Sequence, residues 1–233
     1  MNKKMNILVA CEESQAVTIE LRKLGHNAFS CDIIECSGGH PEWHIMEDVL
    51  PLLNGFCIFN TVDGIKHEIS GKWDMIIAFP PCTYMTNASA CRMYPTKGNI
   101  NYERLFNGLE AADFFNKIFS ADCDKIAIEN PRPLKIIPIP KETQRIQPYE
   151  YAVDEKEFFT KLTYLWLKGL DKLTPIRTEK PIDTVPYVNA GCKDDNGNPR
   201  KKQGCKFNQK DRSKTFQGIA KAMASQWSGK VGE

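Results

Sequence analysis

Two short runs in the chain carry side chains that can do chemistry together. Phe79-Pro80-Pro81-Cys82 closes the apolar stretch Met75 to Phe79 with two prolines and then a thiol. Proline locks φ, so such a turn presents its cysteine rigidly. A thiol whose surroundings favour the thiolate is a nucleophile. Glu129-Asn130-Pro131 follows the strand-like run Lys125 to Ile128. A carboxylate held at a strand end can hydrogen-bond a ring nitrogen or an amine and steady the charge that develops there. Taken singly, each has an ordinary reading, a capping turn with an incidental cysteine and a solvated loop acid. As a pair at successive strand ends they are more specific.

The elements that must position them read as α/β. Asn6 to Ala10 is a compact β-rich run, Cys11-Glu12-Glu13-Ser14 a polar turn, and Val17, Ile19, Leu21 and Leu24 mark a helix that ends at Gly25. Asn27 to Ile33 predicts the second strand, with Asp32 near its end, and Trp73 to Phe79 the third. Leu105, Leu109, Ala112, Phe115 and Ile118 recur at spacings of three and four, which predicts a helix over Asn101 to Phe119. Pro133, Pro138, Pro140 and Pro148 preclude a long helix across their span, and Phe158 to Leu170 suits helix or strand equally. Phe216 to Trp227 predicts a last helix, with Ser213 or Thr215 as N-cap. Strands alternating with helices call for a parallel sheet with right-handed crossovers, and ligands of such sheets bind beyond the carboxyl ends of the strands.

A Pro-Pro-Cys turn at one strand end and Glu-Asn-Pro at the next resembles the C5-cytosine DNA methyltransferase family, its compact phage-type members most closely. The resemblance implies a Rossmann-like S-adenosylmethionine-dependent methyltransferase fold, a mostly parallel sheet with helices on both faces. It implies Cys82 as the nucleophile that attacks cytosine C6 and Glu129 as the acid that engages the base. It places the cofactor S-adenosyl-L-methionine against Leu8 to Ser14, with Glu12, Asp32 at the ribose, Asp48 at the adenine amino group and Pro80 beside them. Asn87 and Arg132 are expected to contact the target nucleotide, and Ser213 to Trp227 is similar to the family's last motif. The chain departs from the family in three places. Ala10-Cys11-Glu12-Glu13-Ser14-Gln15 has no glycine where the family's first loop is glycine-rich. Gln144-Arg145-Ile146-Gln147 supplies one arginine where Gln-x-Arg-x-Arg supplies two. No large target-recognition domain is present.

The expected organisation is therefore a catalytic core over 1–173, a small basic insertion over 174–212 and a helix over 213–233 that returns to the core. Thirty-one Lys and Arg against 29 Asp and Glu leave the 233-residue chain at +2. The charge is unevenly spread. Cys192 to Lys214 holds eight basic residues, Arg200, Lys201 and Lys202 among them, against three acids, a net of about +5 that leaves the remainder near −3. Beside such a site that run is expected to bind phosphates of DNA, most simply a duplex. Apolar runs too short to span a bilayer, and Glu12 and Glu13 ending the first of them, argue for a cytoplasmic protein with no membrane partner; a monomer is expected.

Nine cysteines then read as reduced thiols, with Cys57 and Cys123 in or beside the core. Cys31, Cys36, His40 and His44 have zinc-ligand types. Gly38 to His44 also reads as a structured loop with Trp43 as a lid over the cofactor, and no metal is expected. Two rival functions remain at this stage. One is a C5-modifying enzyme of free pyrimidine nucleotides, since thymidylate-synthase-like enzymes also use a Pro-Pro-Cys thiol. The other is a non-catalytic nucleic-acid or nucleotide-binding protein, favoured by the glycine-free first loop.

Overall fold

The computed structural model describes residues 3–187 and 214–232. β1 (Asn6–Ala10), α1 (Ala16–Lys23) and β2 (Asn27–Cys31) form the first βαβ unit. β2 stops short of the expected Ile33, and Ile33 and Ile34 lie exposed beyond it. A two-residue strand, β3 (His44–Ile45), adds to the β2 edge. A separate hairpin follows, β4 (Cys57–Asn60) with β5 (Lys66–Ile69). Next come β6 (Met75–Ala78), α2 (Ala90–Met93), α3 (Tyr102–Phe119) and β7 (Ile126–Pro131). β8 (Gln144–Ile146), α4 (Pro148–Tyr151), β9 (Phe159–Thr160), β10 (Thr163–Lys168), β11 (Val185–Pro186) and α5 (Gln217–Trp227) complete the described chain.

Seven strands make one sheet in the order β3-β2-β1-β6-β7-β10-β8. Pairing is parallel from β3 through β7, and β10 runs antiparallel to both its neighbours. From β1 the chain steps outward one way to β2 and β3, then returns to build β6 and β7 on the other side. The order thus reverses between β1 and β6, and it is beyond the carboxyl ends at such a reversal that open parallel sheets form their ligand crevice.

Successive residues of a strand face opposite sides, and the core is accordingly double. Leu8, Ala10, Ile76, Ala78, Ile126 and Ile128 pack with Phe115 and Ile118 of α3 on one face. Ile7, Val9, Met75, Ile77 and Ala127 pack with Val17 and Leu21 of α1 and with Ile219 and Met223 of α5 on the other. Leu109, expected on the buried side of α3, is 43% exposed. Cys123 is buried and Cys57 packs at the core margin, as expected of small residues. The ambiguous stretch after Phe158 resolves as strand because Trp166 buries against Phe115, ring centroids 5.1 Å apart, with its indole N–H on Pro140 O at 2.7 Å. No helix among the described residues is long and apolar enough to cross a membrane.

α5 is docked at both ends. Neither Thr215 nor another local side chain caps it, and Ser213 lies outside the described residues. The Glu157 carboxylate, some sixty positions away, accepts instead from Gln217 N at 2.6 Å and Gly218 N at 3.0 Å. At the far end His26 accepts from Met5 N at 3.3 Å through Nδ1 and meets Gly229 O at 2.7 Å through Nε2. Val231 N donates to Leu24 O at 2.9 Å. Gly218 carries a close approach, since a Cβ there would overlap the Tyr151 carbonyl oxygen. Alanine is the better helix former by about 1 kcal/mol, yet Gly218→Ala is expected to destabilise by about 1–3 kcal/mol. Urea unfolding reads this as a lower midpoint at unchanged slope, and a variant as stable as the parent contradicts so tight a dock.

Candidate active site

The parallel strands deliver their carboxyl ends to one edge, and Cys82, Glu129, Asp32 and Asp48 follow their last parallel pairs. β6 ends at Ala78, Phe79 N bonds Ala10 O at 3.0 Å, and the chain enters the proline turn with Pro80 buried. Asn130, only 1% exposed, donates its amide to Pro80 O at 2.8 Å and so pins that turn to β7. Glu129 and Asn130 were expected just past a strand, but they lie within one. β10 pairs antiparallel with β7 through Leu165↔Glu129, Tyr164↔Asn130 and Thr163↔Pro131, which carries the strand to Pro131.

Beyond Cys82 the loop is docked rather than loose. Cys82 O accepts from Met85 N at 3.1 Å and Thr86 N at 3.0 Å, and Met85 and Met93 are fully buried. Arg104 donates to Thr83 O and, at 2.9 Å, to Ser89 Oγ, with its guanidinium 5.0 Å from the Tyr84 ring centre. Asn87 and Arg132, expected together at the target nucleotide, are joined directly: Asn87 N donates to Arg132 O at 2.8 Å, and both side chains are exposed.

Cys82 and Glu129 share one electrostatic environment. Burial pushes the Cys82 thiol above its ordinary value near 9, the Glu129 charge adds to the rise, and the Lys161 ammonium opposes it. Burial also raises the Glu129 carboxyl, again with Lys161 opposing. Glu129, Lys161, Thr163, Phe216 and Ile219 line one cleft. The Lys161 ammonium lies 5.9 Å from the Tyr187 ring centre and 5.8 Å from that of Phe216, and these rings meet edge to face at 4.7 Å. The family's arginine position was expected near Gln144-Arg145. Arg145 instead sits exposed on the edge strand, bound to Glu142 and 5.1 Å from the Tyr164 ring centre, while Gln144 bonds Leu173. Two cations line the cleft, Lys161 and Lys214. Lys161, whose charge acts on both Cys82 and Glu129, was missed by sequence reasoning because it lay in the stretch of undecided period. Asn130 was read only as part of a motif, and nothing local signalled that Arg104 would reach Thr83.

The β1 side of the crevice is built differently from a glycine-rich loop. Cys11 and Gln15 both take the left-handed conformation, φ +57°, that glycine normally supplies. Glu12 does not face outward. Its buried carboxylate accepts from Val17 N at 2.6 Å, Thr18 N at 3.3 Å and Thr18 Oγ1 at 2.7 Å, so it caps α1 and only its backbone remains for a ligand. Asp32, half-buried and raised by burial, and exposed Asp48 stand beyond β2 and β3, and the Cys11 thiol is raised first by its own burial and then by these charges. Ile33, beside Asp32, is 77% exposed at this edge and was not singled out.

The loop over Cys36 to His44 closes against the first loop and not over the crevice. Gln15, fully buried, donates to His40 O at 2.8 Å and accepts from His40 N at 3.1 Å. Gly38 fits against Gln15 and Ser14 O where any Cβ would collide. Trp43 is no lid; it stacks on His40 at 3.8 Å and under the Arg22 guanidinium at 5.2 Å. His44 is held between Ser30 Oγ and Ile34 O, both at 2.9 Å, and Cys31 donates to Glu47 O. Among the described residues no group of three or more His, Cys, Asp or Glu is placed to hold a metal ion. Arg200, Lys201 and Lys202, expected at the phosphates, lie outside the described residues. Scanned against protein-family models and searched against curated proteins, the sequence matches none.

Burial drives Glu12 up from about 4.5 to about 7, although its hydrogen bonds to Val17 and Thr18 hold it down in part. A group raised in the folded state stabilises fully below its unfolded value and loses that contribution as pH rises through the folded one. Glu12→Gln is therefore expected to flatten the fall in unfolding free energy between pH 4.5 and 7, read from urea titrations at several pH values. A pH profile identical to the parent's contradicts a protonated Glu12.

Proposed function

We propose that this chain is a DNA (cytosine-5) methyltransferase that uses S-adenosylmethionine. The observation that carries the reading is the pairing of Cys82 with Glu129. They stand on neighbouring parallel strand ends, each feels burial, and Lys161 faces both.

The crevice fits a cofactor without phosphates. A helix N-terminus beyond β1 is where a dinucleotide's pyrophosphate would bind, but here the Glu12 carboxylate occupies it. Asp32 and Asp48 would hold the ribose hydroxyls and the adenine amino group, with the exposed Ile33 side chain and Pro80 beside them. S-adenosylmethionine, when bound, supplies the methyl group that the activated base takes up at C5.

Cytosine C5 is a poor nucleophile. Addition of the Cys82 thiolate to C6 forms an S–C6 bond and moves the ring's electrons toward C5 and N3, which splits a hard step into easier ones. Glu129, its carboxyl raised by burial, is suited to donate a proton to N3 while its second oxygen accepts from the exocyclic amine. Lys161 holds down both raised values, favouring the thiolate and limiting the acid. After methylation the C5 proton leaves to a base, the S–C6 bond breaks and Cys82 departs as thiolate. In a duplex the base must first leave the stack at a few kcal/mol, which unpaired DNA avoids.

Calorimetry is expected to show S-adenosylmethionine binding that Asp32→Ala weakens about tenfold or more. No heat up to millimolar ligand rejects the cofactor and favours a binding-only protein. Cys82→Ala should bring tritiated methyl transfer to cytosine to background while cofactor affinity stays within about twofold; residual transfer rejects Cys82 as nucleophile. Transfer to dCMP with none to DNA would assign the free-nucleotide reaction instead. Because the thiol is raised above 9, kcat/KM should climb from pH 7 toward 9. Lys161→Met should move that limb to higher pH, and a limb left in place contradicts the role of Lys161.

A further inference from the structure

Residues 83–102 contain no acid, and neither do residues 130–141. The fold lays these two stretches side by side, next to the turn that carries Cys82. Asn87 N bonds Arg132 O at 2.8 Å, Leu134 N bonds Met85 O at 2.7 Å, and Thr86 and Pro133 form an antiparallel bridge. Arg92, Lys97, Arg132 and Lys135 stand exposed on them, and none makes an ion pair with a described residue. Elsewhere the described surface mixes signs, as in Lys72–Asp122, Lys117–Asp113 and Arg145–Glu142. The two stretches themselves carry one sign, with Glu103 and Glu142 just beyond their ends, and such a cluster of cations draws an anion and holds it by displacing counterions.

The same face exposes aromatic rings. Tyr84, two residues past Cys82, is 38% exposed with the Arg104 guanidinium 5.0 Å from its ring centre. Tyr94 and Tyr102, 39% and 77% exposed, flank the bond from Asn101 N to Met93 O. Buried Met85 and Met93 anchor the loop, so the surface stands ready and pays little ordering entropy on binding. Cationic side chains for phosphates interleaved with open rings are what an unpaired polynucleotide needs, because bases in a duplex already cover each other's faces.

We propose that the loop after Cys82 and the turn after β7 form a docking surface for single-stranded DNA. Phosphates lie on Arg92, Lys97, Arg132 and Lys135, and a base flanking the target stacks on Tyr84. This rests on the methyltransferase reading and narrows its substrate from a duplex to an unpaired strand.

Fluorescence anisotropy of the full chain with a labelled single-stranded oligonucleotide, and with the same sequence as a duplex, tests it over a salt series. The unpaired strand is expected to bind about tenfold more tightly. Arg92→Ala with Lys97→Ala, and Arg132→Ala with Lys135→Ala, should each reduce the single-strand salt slope by about 1.4. Tyr84→Ala should weaken single-strand binding about tenfold, and Tyr84→Phe should not. If Tyr84→Ala lowers the melting temperature, Tyr94→Ala provides the same comparison. Equal or tighter duplex binding overturns the proposal, as do slopes unchanged in both double variants. Methyl transfer measured on the same two DNAs separates the failures. Transfer to a preferred duplex overturns the single-strand proposal alone. Single-strand binding that follows the variants, with no transfer to either DNA, upholds the surface and overturns the reaction.

Discussion

The register of β6 on β7 is the constraint on which the site depends. Ile76, Ile77 and Ala78 lie level with Ile126, Ala127 and Ile128, so Glu129 begins where the last ladder pair ends and Cys82 lies four residues beyond Ala78. A slip of one residue would turn Glu129 to the opposite face and bury the wrong half of each strand. The apolar residues of both strands oppose that slip, and the Asn130 amide on Pro80 O secures the turn itself. The position of Glu129 is thus inherited from core packing. Cys82 depends on it as well, with the Asn130 bond and the amides of Met85 and Thr86 holding its turn.

At the end of β1 a single carboxylate shapes the first loop. Glu12 spends its hydrogen-bonding capacity on the amides of α1, which stabilises the helix and closes the usual phosphate seat in one arrangement. The loop that achieves this holds Cys11 and Gln15 in left-handed backbone, at a cost of about 1–2 kcal/mol each. Gln15 recovers part of that through its two bonds to His40, and Gly38 leaves the space for it to do so. Glycine would make the turn easier and leave the neighbouring loop without its anchor.

Much of this was legible in the sequence where periodicity was long or prolines intervened. The first βαβ unit and α3 follow from apolar spacing, and Pro80-Pro81 announced a fixed turn before Cys82. The short pieces were not legible: β3 is two residues long, and the β4–β5 hairpin owes its place to Phe59 among Phe29, His67 and Trp73. Local pattern misplaced the cap of α5, because the carboxylate that serves it comes from Glu157 in another part of the chain. Similarly, Glu129 was read as lying just past its strand because the partner strand that extends β7, β10, carries no distinctive period. Long-range partners, rather than weak propensity, account for these differences.

The rings of Tyr187 and Phe216 bear a consequence for how such a protein can change. They pack against each other at 4.7 Å, and between them the chain carries 28 intervening residues, among them the whole of its basic run. The ends of that insertion are therefore fastened at one point of the core. Lengthening a closed loop is cheap, about 0.6 kcal/mol for each doubling. Such an insertion can be lengthened, shortened or exchanged while Tyr187, Phe216 and Lys161 keep their packing. The segment between the two rings can then drift, or be replaced by grafting, on a different timetable from the cleft residues packed beneath it.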